Sequence, residues 1–140
     1  MRLSRSMVLL VLPCVATTLL GGCTPTPPPP APAPAPMAPT QEQARVVQDE
    51  ILKVSPNWVV GKVAGVSGSM AAVTDIPFAT VKEPKSILFL DGNSAVVAMG
   101  TVSTASDKDS QYLIVEYTPA TTAGGRAPIR GDIAVYIPPK

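Results

Sequence analysis

Side chains that carry reactive chemistry are scarce in this 140-residue chain. It has two cysteines, Cys14 and Cys23, and no histidine, so the thiols are the strongest nucleophiles that the sequence offers. Cys23 ends the tetrapeptide LGGC at 20–23, which closes an apolar run that begins near Met7. This position makes Cys23 the candidate for covalent modification.

Arg2, Arg5, the apolar run and the LGGC tetrapeptide together resemble a bacterial lipoprotein signal, whose last four residues are called the lipobox. The resemblance implies cleavage between Gly22 and Cys23, attachment of diacylglycerol to the Cys23 thiol and acylation of the new N-terminus. Three acyl chains, at ~0.8 kcal/mol per buried CH₂, exceed the two signals that stable anchoring requires. We therefore expect the mature protein to be attached to a membrane of the cell envelope.

Two other interpretations of residues 1–22 compete with this one. A transmembrane helix needs ~20 apolar residues, whereas this run is about 14 long and contains Pro13, which fits a signal peptide better. If the segment were an ordinary cleaved signal peptide, Cys23 would have no role in processing. The order of residues in LGGC disfavours this interpretation. In the lipoproteins that the chain resembles, an aspartate after the cysteine favours the inner membrane. Thr24 therefore favours the outer membrane, facing the periplasm.

Charge and cysteine content restrict the partners. Removing residues 1–22 takes away Arg2, Arg5 and Cys14 and leaves nearly equal numbers of basic and acidic side chains, so nothing points to nucleic acid. With Cys23 lipidated, no thiol remains for a disulfide or a zinc site. The mature length suits one folded domain, which must be stabilised by its apolar core.

Residues 23–39 predict an extended tether. Nine of the sixteen residues from 24 to 39 are proline, which lacks an amide donor and has a fixed φ, so neither helix nor sheet can form. A polyproline II segment at ~3.1 Å per residue would reach about 50 Å. A stiff spacer is favoured by the alternating Pro-Ala pattern, and a ligand for a proline-recognition groove is the alternative.

Residues 40–56 predict one short amphipathic helix. Thr40 and Gln43 fit a capping box, and Pro56 ends the pattern. Between them, apolar residues recur at spacings of three and four and so share one face: Ala44, Val47, Ile51 and Val54. A helix of this length is marginal alone, so the face must pack on its own domain or, alternatively, on a second copy.

Residues 57–140 predict a small β domain. Six short runs suited to strands are separated by residues typical of turns and lie at 58–66, 70–75, 86–91, 94–104, 111–118 and 132–137. In the clearest run, Leu113, Val115 and Tyr117 alternate with Tyr112, Ile114 and Glu116. Mostly local connections between such strands predict a mainly β fold, a six-stranded antiparallel barrel.

The motif GKVAGV at 61–66 opens the β region, and IRGDIAVY at 129–136 closes it. Both resemble the small barrels found at the C-terminus of flagellar assembly protein T and in many envelope proteins. There, a GKV strand opens the barrel and a GD turn leads into its last strand. The stretch 83–102 is similar to the proline, short strand, turn and glycine-bearing strand of such domains. The resemblance implies a structural part of an envelope assembly and no catalytic residue.

Other candidate sites are weaker. Asp107 and Asp109 could give two oxygens to a calcium ion, which is coordinated by six to eight oxygen ligands. The segment is also typical of a polar hairpin loop. The run at 124–126, Gly-Gly-Arg, could cradle an anion but lacks a following helix, so a flexible loop is favoured. A Ser-Lys dyad with Lys62 or Lys85 has no supporting motif.

The leading hypothesis is therefore a non-enzymatic envelope lipoprotein. A tether would present the barrel to a protein partner or to peptidoglycan, where it serves as a scaffold or assembly factor, and no cofactor is implied. The alternative is a small-ligand or ion-binding module whose barrel mouth is formed by loops 105–110 and 119–130. The sequence leaves the oligomeric state open.

Overall fold

The computed structural model describes residues 28–106 and 110–139, so the proposed signal peptide and Cys23 lie outside the described residues. The described residues from Ala35 onward form one compact unit. Residues 28–40 form neither helix nor strand, as their prolines predict. In the part of the chain that the structure describes, no helix is long and apolar enough to cross a membrane.

Among the described residues, one α-helix, α1, spans Gln41–Val54. The predicted capping box is confirmed: the Gln43 amide donates to Thr40 Oγ1 at 3.2 Å, and the Thr40 amide donates to Gln43 Oε1 at 2.9 Å. Ser55 caps the other end, and Pro56 follows it. Because both ends are specified by neighbouring residues, the helix forms where the sequence predicts it.

Six strands and one 3₁₀ turn, Phe78–Thr80, follow α1. Each predicted run overlaps one strand, and the boundaries differ by at most two residues. The strands are β1 (Val59–Ser67), β2 (Met70–Thr74), β3 (Ser86–Leu90), β4 (Val96–Val102), β5 (Leu113–Pro119) and β6 (Ile133–Tyr136).

The strands close into an antiparallel barrel in the order β1-β2-β5-β4-β3-β6, which confirms the predicted six-stranded barrel. Strands β3, β4 and β5 follow one another as neighbours, and β6 returns by a long connection to lie beside β3. This arrangement is a Greek key. Only three of the six pairings join consecutive strands, so the connections are less local than the sequence predicts.

The barrel has two distinct ends. The β1–β2 turn, the β3–β4 turn and the β5–β6 loop lie at one end, which we call the tether end. There Pro39 lies against the backbone of Gly92: a Cβ built on Gly92 would be 2.9 Å from Pro39 Cβ. The β2–β3 and β4–β5 connections and the start of β1 lie at the other end, the far end.

Side chains on the two surfaces of the barrel wall form two apolar clusters. The inner cluster fills the barrel and includes Phe89, Val115 and Tyr136, all fully buried. The outer cluster joins α1 to the outside of the wall, where Ala44 and Val47 are buried together with β6 residues. The helix thus packs on its own domain, as favoured from the sequence.

The prediction that Val54 belongs to the buried face of the helix is wrong. Val54 keeps 83% of its surface exposed, because it lies in the last turn of α1, beyond the part of the barrel that the helix covers.

At the far end, the buried Tyr136 hydroxyl donates to the Lys82 carbonyl at 3.0 Å and accepts from the Lys82 amide at 2.7 Å. These two bonds attach the β2–β3 connection to the barrel.

Candidate functional site

Several residues singled out from the sequence lie outside the described residues. These are the cleavage and lipidation positions Gly22 and Cys23 and the weak metal candidates Asp107 and Asp109. Within 28–106 and 110–139, no group of three or more His, Cys, Asp or Glu side chains could hold a metal ion. The lipid-anchor and metal predictions therefore stay predictions.

The predicted barrel mouth is wrong. Loop 105–110 precedes β5 and loop 119–130 follows it, so the two leave opposite ends of one strand. Seven residues at ~3.3 Å each separate them by about 20 Å. The β4–β5 loop belongs to the far end and the β5–β6 loop to the tether end, and no single mouth contains both.

The β5–β6 loop is fixed to the barrel by an ion pair between the partly buried Arg126 and the buried Asp132. Arg126 Nη1 donates to Asp132 Oδ2 at 2.7 Å, and Nη2 donates to Oδ1 at 3.0 Å. Asp132 is completely buried, and its Oδ2 also accepts from the Ile129 amide at 2.8 Å. The hydrogen bonds to Asp132 raise the pKa of Arg126 above its usual value. The bidentate geometry is the strong form of this pairing.

This pair changes the interpretation of the Gly-Gly-Arg run. The Arg126 guanidinium is occupied by Asp132, so it does not serve an anion site. The loop backbone is held as well, because the amides of Ala120 and Arg126 both donate to the Val97 carbonyl, at 2.9 and 3.0 Å. The loop that the sequence predicts to be flexible is thus bonded to β4 at Ala120 and at Arg126. The GD turn that the sequence singled out begins at Gly131, whose φ of 96° favours glycine.

A different surface emerges on the outside of the barrel, away from α1. It consists of the outward-facing side chains of β2, β5 and β4, and we call it the open face: Met70, Ala72, Met99, Thr101, Ile114, Glu116 and Thr118. Met70 keeps 43% of its surface exposed and Met99 56%. Large apolar side chains are thus exposed on a regular sheet, not in a loop.

Glu116 lies at the centre of the open face. Strand pairing places it directly opposite Met70 on β2 and directly opposite Thr101 on β4. Along β5 its neighbours on the same face are Ile114 and Thr118, two residues away on either side. One carboxylate is therefore surrounded by two apolar side chains and two threonines.

Shallow clefts flank this carboxylate on both sides. One, of about 450 Å³, is lined by Met70, Ala72 and Ile114 together with residues 65–67 at the end of β1. The other, of about 330 Å³, has Met99, Thr101 and Glu116 among its lining residues. The ion pairs formed in the described parts of the chain are Lys85 with Glu83 and Arg126 with Asp132, so no basic side chain there pairs with Glu116.

Sequence reasoning found one strand of this surface and missed the rest. The alternation in β5 places Ile114 and Glu116 on the outer face of the strand, away from the core, as predicted. It gives no sign that β2 and β4 are the strands on either side, because the β2–β5 pairing joins segments about 40 residues apart. Comparison with protein-family models, curated proteins and solved structures finds no match for this chain.

Proposed function

We propose that this protein is a non-enzymatic, lipid-anchored lipoprotein of the cell envelope whose barrel binds a partner. The anchor would be Cys23 in the outer membrane, with the barrel facing the periplasm. The partner would be an envelope protein or peptidoglycan, for which the barrel serves as a scaffold or assembly factor. The open face supports the binding role, because it leaves large apolar side chains in water.

The packing of the barrel supports binding on its outer surface. Large side chains fill the interior, among them Ile87, Phe89 and Tyr136, each completely buried. A barrel of this size has room for its own side chains and not for an enclosed ligand. The alternative of a small-ligand or ion-binding module also loses its expected site, because loops 105–110 and 119–130 lie at opposite ends.

The anchor is tested by fractionation of cells that express Cys23→Ala. We expect the variant to leave the membrane pellet for the soluble envelope fraction or to remain as the uncleaved precursor, because no thiol is left at the acceptor position. Cys14→Ala is the matched control, since it removes the other thiol from within the signal, and it should pellet like the wild type. Processed Cys23→Ala protein that still pellets in high salt would refute the lipid anchor.

A further inference from the structure

We propose that the tether is fixed to the barrel at Pro39, so that the anchored barrel keeps its tether end towards the membrane and its far end away from it. The orientation to the membrane rests on the proposed lipid anchor, whereas the fixed contact is a property of the folded domain alone. We call the contact between Pro39, Gly92 and Gly131 the tether joint.

The first argument is the place at which the tether meets the folded domain. Residues 28–38 are exposed, and Pro39 is the first residue of the tether to be partly buried. A cleft of about 440 Å³ is lined by residues 36–40 together with Asp91, Gly92 and Asn93 of the β3–β4 turn, among others. A Cβ built on Gly131 would lie 3.8 Å from the Pro39 carbonyl oxygen. Pro39 therefore lies beside two loops of the tether end.

The second argument is the identity of residue 92. The φ of Gly92 lies outside the left-handed region, in contrast to that of Gly131, so its backbone conformation does not require glycine. A Cβ at this position would nevertheless lie 2.9 Å from Pro39 Cβ, which is closer than two unbonded carbon atoms approach. The Pro39 Cβ belongs to a ring and cannot rotate away. Glycine at position 92 thus leaves the room that the tether occupies.

The third argument is the small number of free backbone torsions at the joint. The ring of Pro39 fixes its own φ and keeps Ala38 out of the helical region. On the other side, the Thr40 amide donates to Gln43 Oε1 at 2.9 Å, and the Thr40 carbonyl accepts from the Ala44 amide at 2.9 Å. A hinge needs several free torsions, which proline and the capping box both remove. The chain therefore enters α1 in one direction.

The direction set at Pro39 decides which end of the barrel is nearer to the anchor. Helix α1 begins beside Gly92 at the tether end, and β1 begins at the far end only five residues after α1 stops. Proline-rich chains stay extended over several residues, so the tether carries the direction set at Pro39 towards the anchor. This orientation places the β2–β3 and β4–β5 connections farthest from the membrane.

The joint is tested by pulsed electron paramagnetic resonance on the mature lipoprotein in detergent. Spin labels are attached at Ala35→Cys and Thr118→Cys, and mass spectrometry shows whether Cys23 carries lipid. We expect a narrow distribution of label distances. Gly92→Val should widen it about twofold, because the new side chain takes the space of Pro39. Gly124→Val is the matched control at the same end of the barrel. A Cβ there would have no neighbour within 4 Å, so the width should not change.

A second variant removes the tether side of the joint. Pro39→Ala leaves Gly92 intact and frees the backbone at position 39, so it should also widen the distribution. Pro36→Ala, at an exposed proline of the tether, is its control and should have the smaller effect. Unchanged circular dichroism spectra would exclude unfolding as the cause. A wild-type distribution as wide as that of Gly92→Val, or equal widening by Gly124→Val, would overturn the fixed joint whatever the anchor does.

The orientation is tested by energy transfer to dye-labelled lipids in nanodiscs. A donor dye is placed at Ser69→Cys in the β1–β2 turn or at Thr104→Cys after β4, two exposed positions at opposite ends. We expect stronger transfer from Ser69→Cys, and Gly92→Val should reduce the difference. Equal transfer from both positions in an otherwise wild-type chain would refute the orientation. No transfer from either would refute the anchor and the orientation together, and the resonance experiment would still decide whether the joint is fixed.

Discussion

The two outer faces of this barrel are built from similar strands, but α1 covers one of them and the other is exposed to solvent. On the covered face, β6 directs Ile133 and Val135 outward, and α1 buries both. On the open face, β5 directs Ile114 and Glu116 outward, and no segment described in the structure covers them fully. All four residues of β6 are consequently buried, whereas β5 alternates between buried and accessible positions. An outward apolar residue of this barrel is therefore fully buried only where another element packs on it.

The largest expected difference between the faces concerns their carboxylates. Asp132→Asn should lower the free energy of unfolding by about 3 kcal/mol, because the completely buried carboxylate accepts two hydrogen bonds from the Arg126 guanidinium and one from the Ile129 amide. Glu116→Gln should change it by less than about 0.5 kcal/mol, because that carboxylate is exposed to water. Urea unfolding of the two purified variants measures both values. Equal losses would mean that the open face is also part of the folded core.

A matched pair of isoleucines gives the next largest contrast. Ile133→Ala should cost about 2–5 kcal/mol, since the cavity would form between β6 and α1. Ile114→Ala should cost about 1 kcal/mol or less, since its side chain is only partly buried. Thermal or urea unfolding of the two purified variants measures both losses of stability. A large loss at Ile114 in the isolated protein would show that something already covers the open face.

The smallest expected effect concerns the start of the covering helix. Thr40→Ala removes the oxygen that accepts from the Gln43 amide and should cost about 1 kcal/mol. Thr118→Ala, the same substitution on the open face, should stay within about 0.5 kcal/mol of wild type. Circular dichroism during denaturation follows both. If the two variants unfold alike, the cap contributes nothing and the coverage by α1 rests on packing alone.

Local features of this fold could be read from the sequence. The capping box depends on two residues three positions apart, Thr40 and Gln43, and the alternation in β5 depends on neighbours two apart. Both were predicted correctly, because the interactions that specify them are contained within a few residues. The closed barrel followed from six such runs considered together.

Features that depend on distant pairing could not be read in the same way. Arg126 and Asp132 lie in an irregular loop without periodicity, and only the folded backbone brings the guanidinium to the carboxylate. The pairing of β2 with β5 likewise decides which residues surround Glu116. The mistaken barrel mouth is different, because loops 105–110 and 119–130 flank a single strand. That fact alone places them at opposite ends of the barrel.

The contact between Pro39 and Gly92 has a mechanical consequence. If the chain is anchored through Cys23, tension along the tether reaches the folded domain at Pro39 and passes first into the opening turn of α1. That turn is held to β6 by side-chain packing, whereas the strands are joined by hydrogen bonds around a closed ring. Under load the helix would therefore separate before any strand does, and the barrel would stay intact at the end of a longer tether.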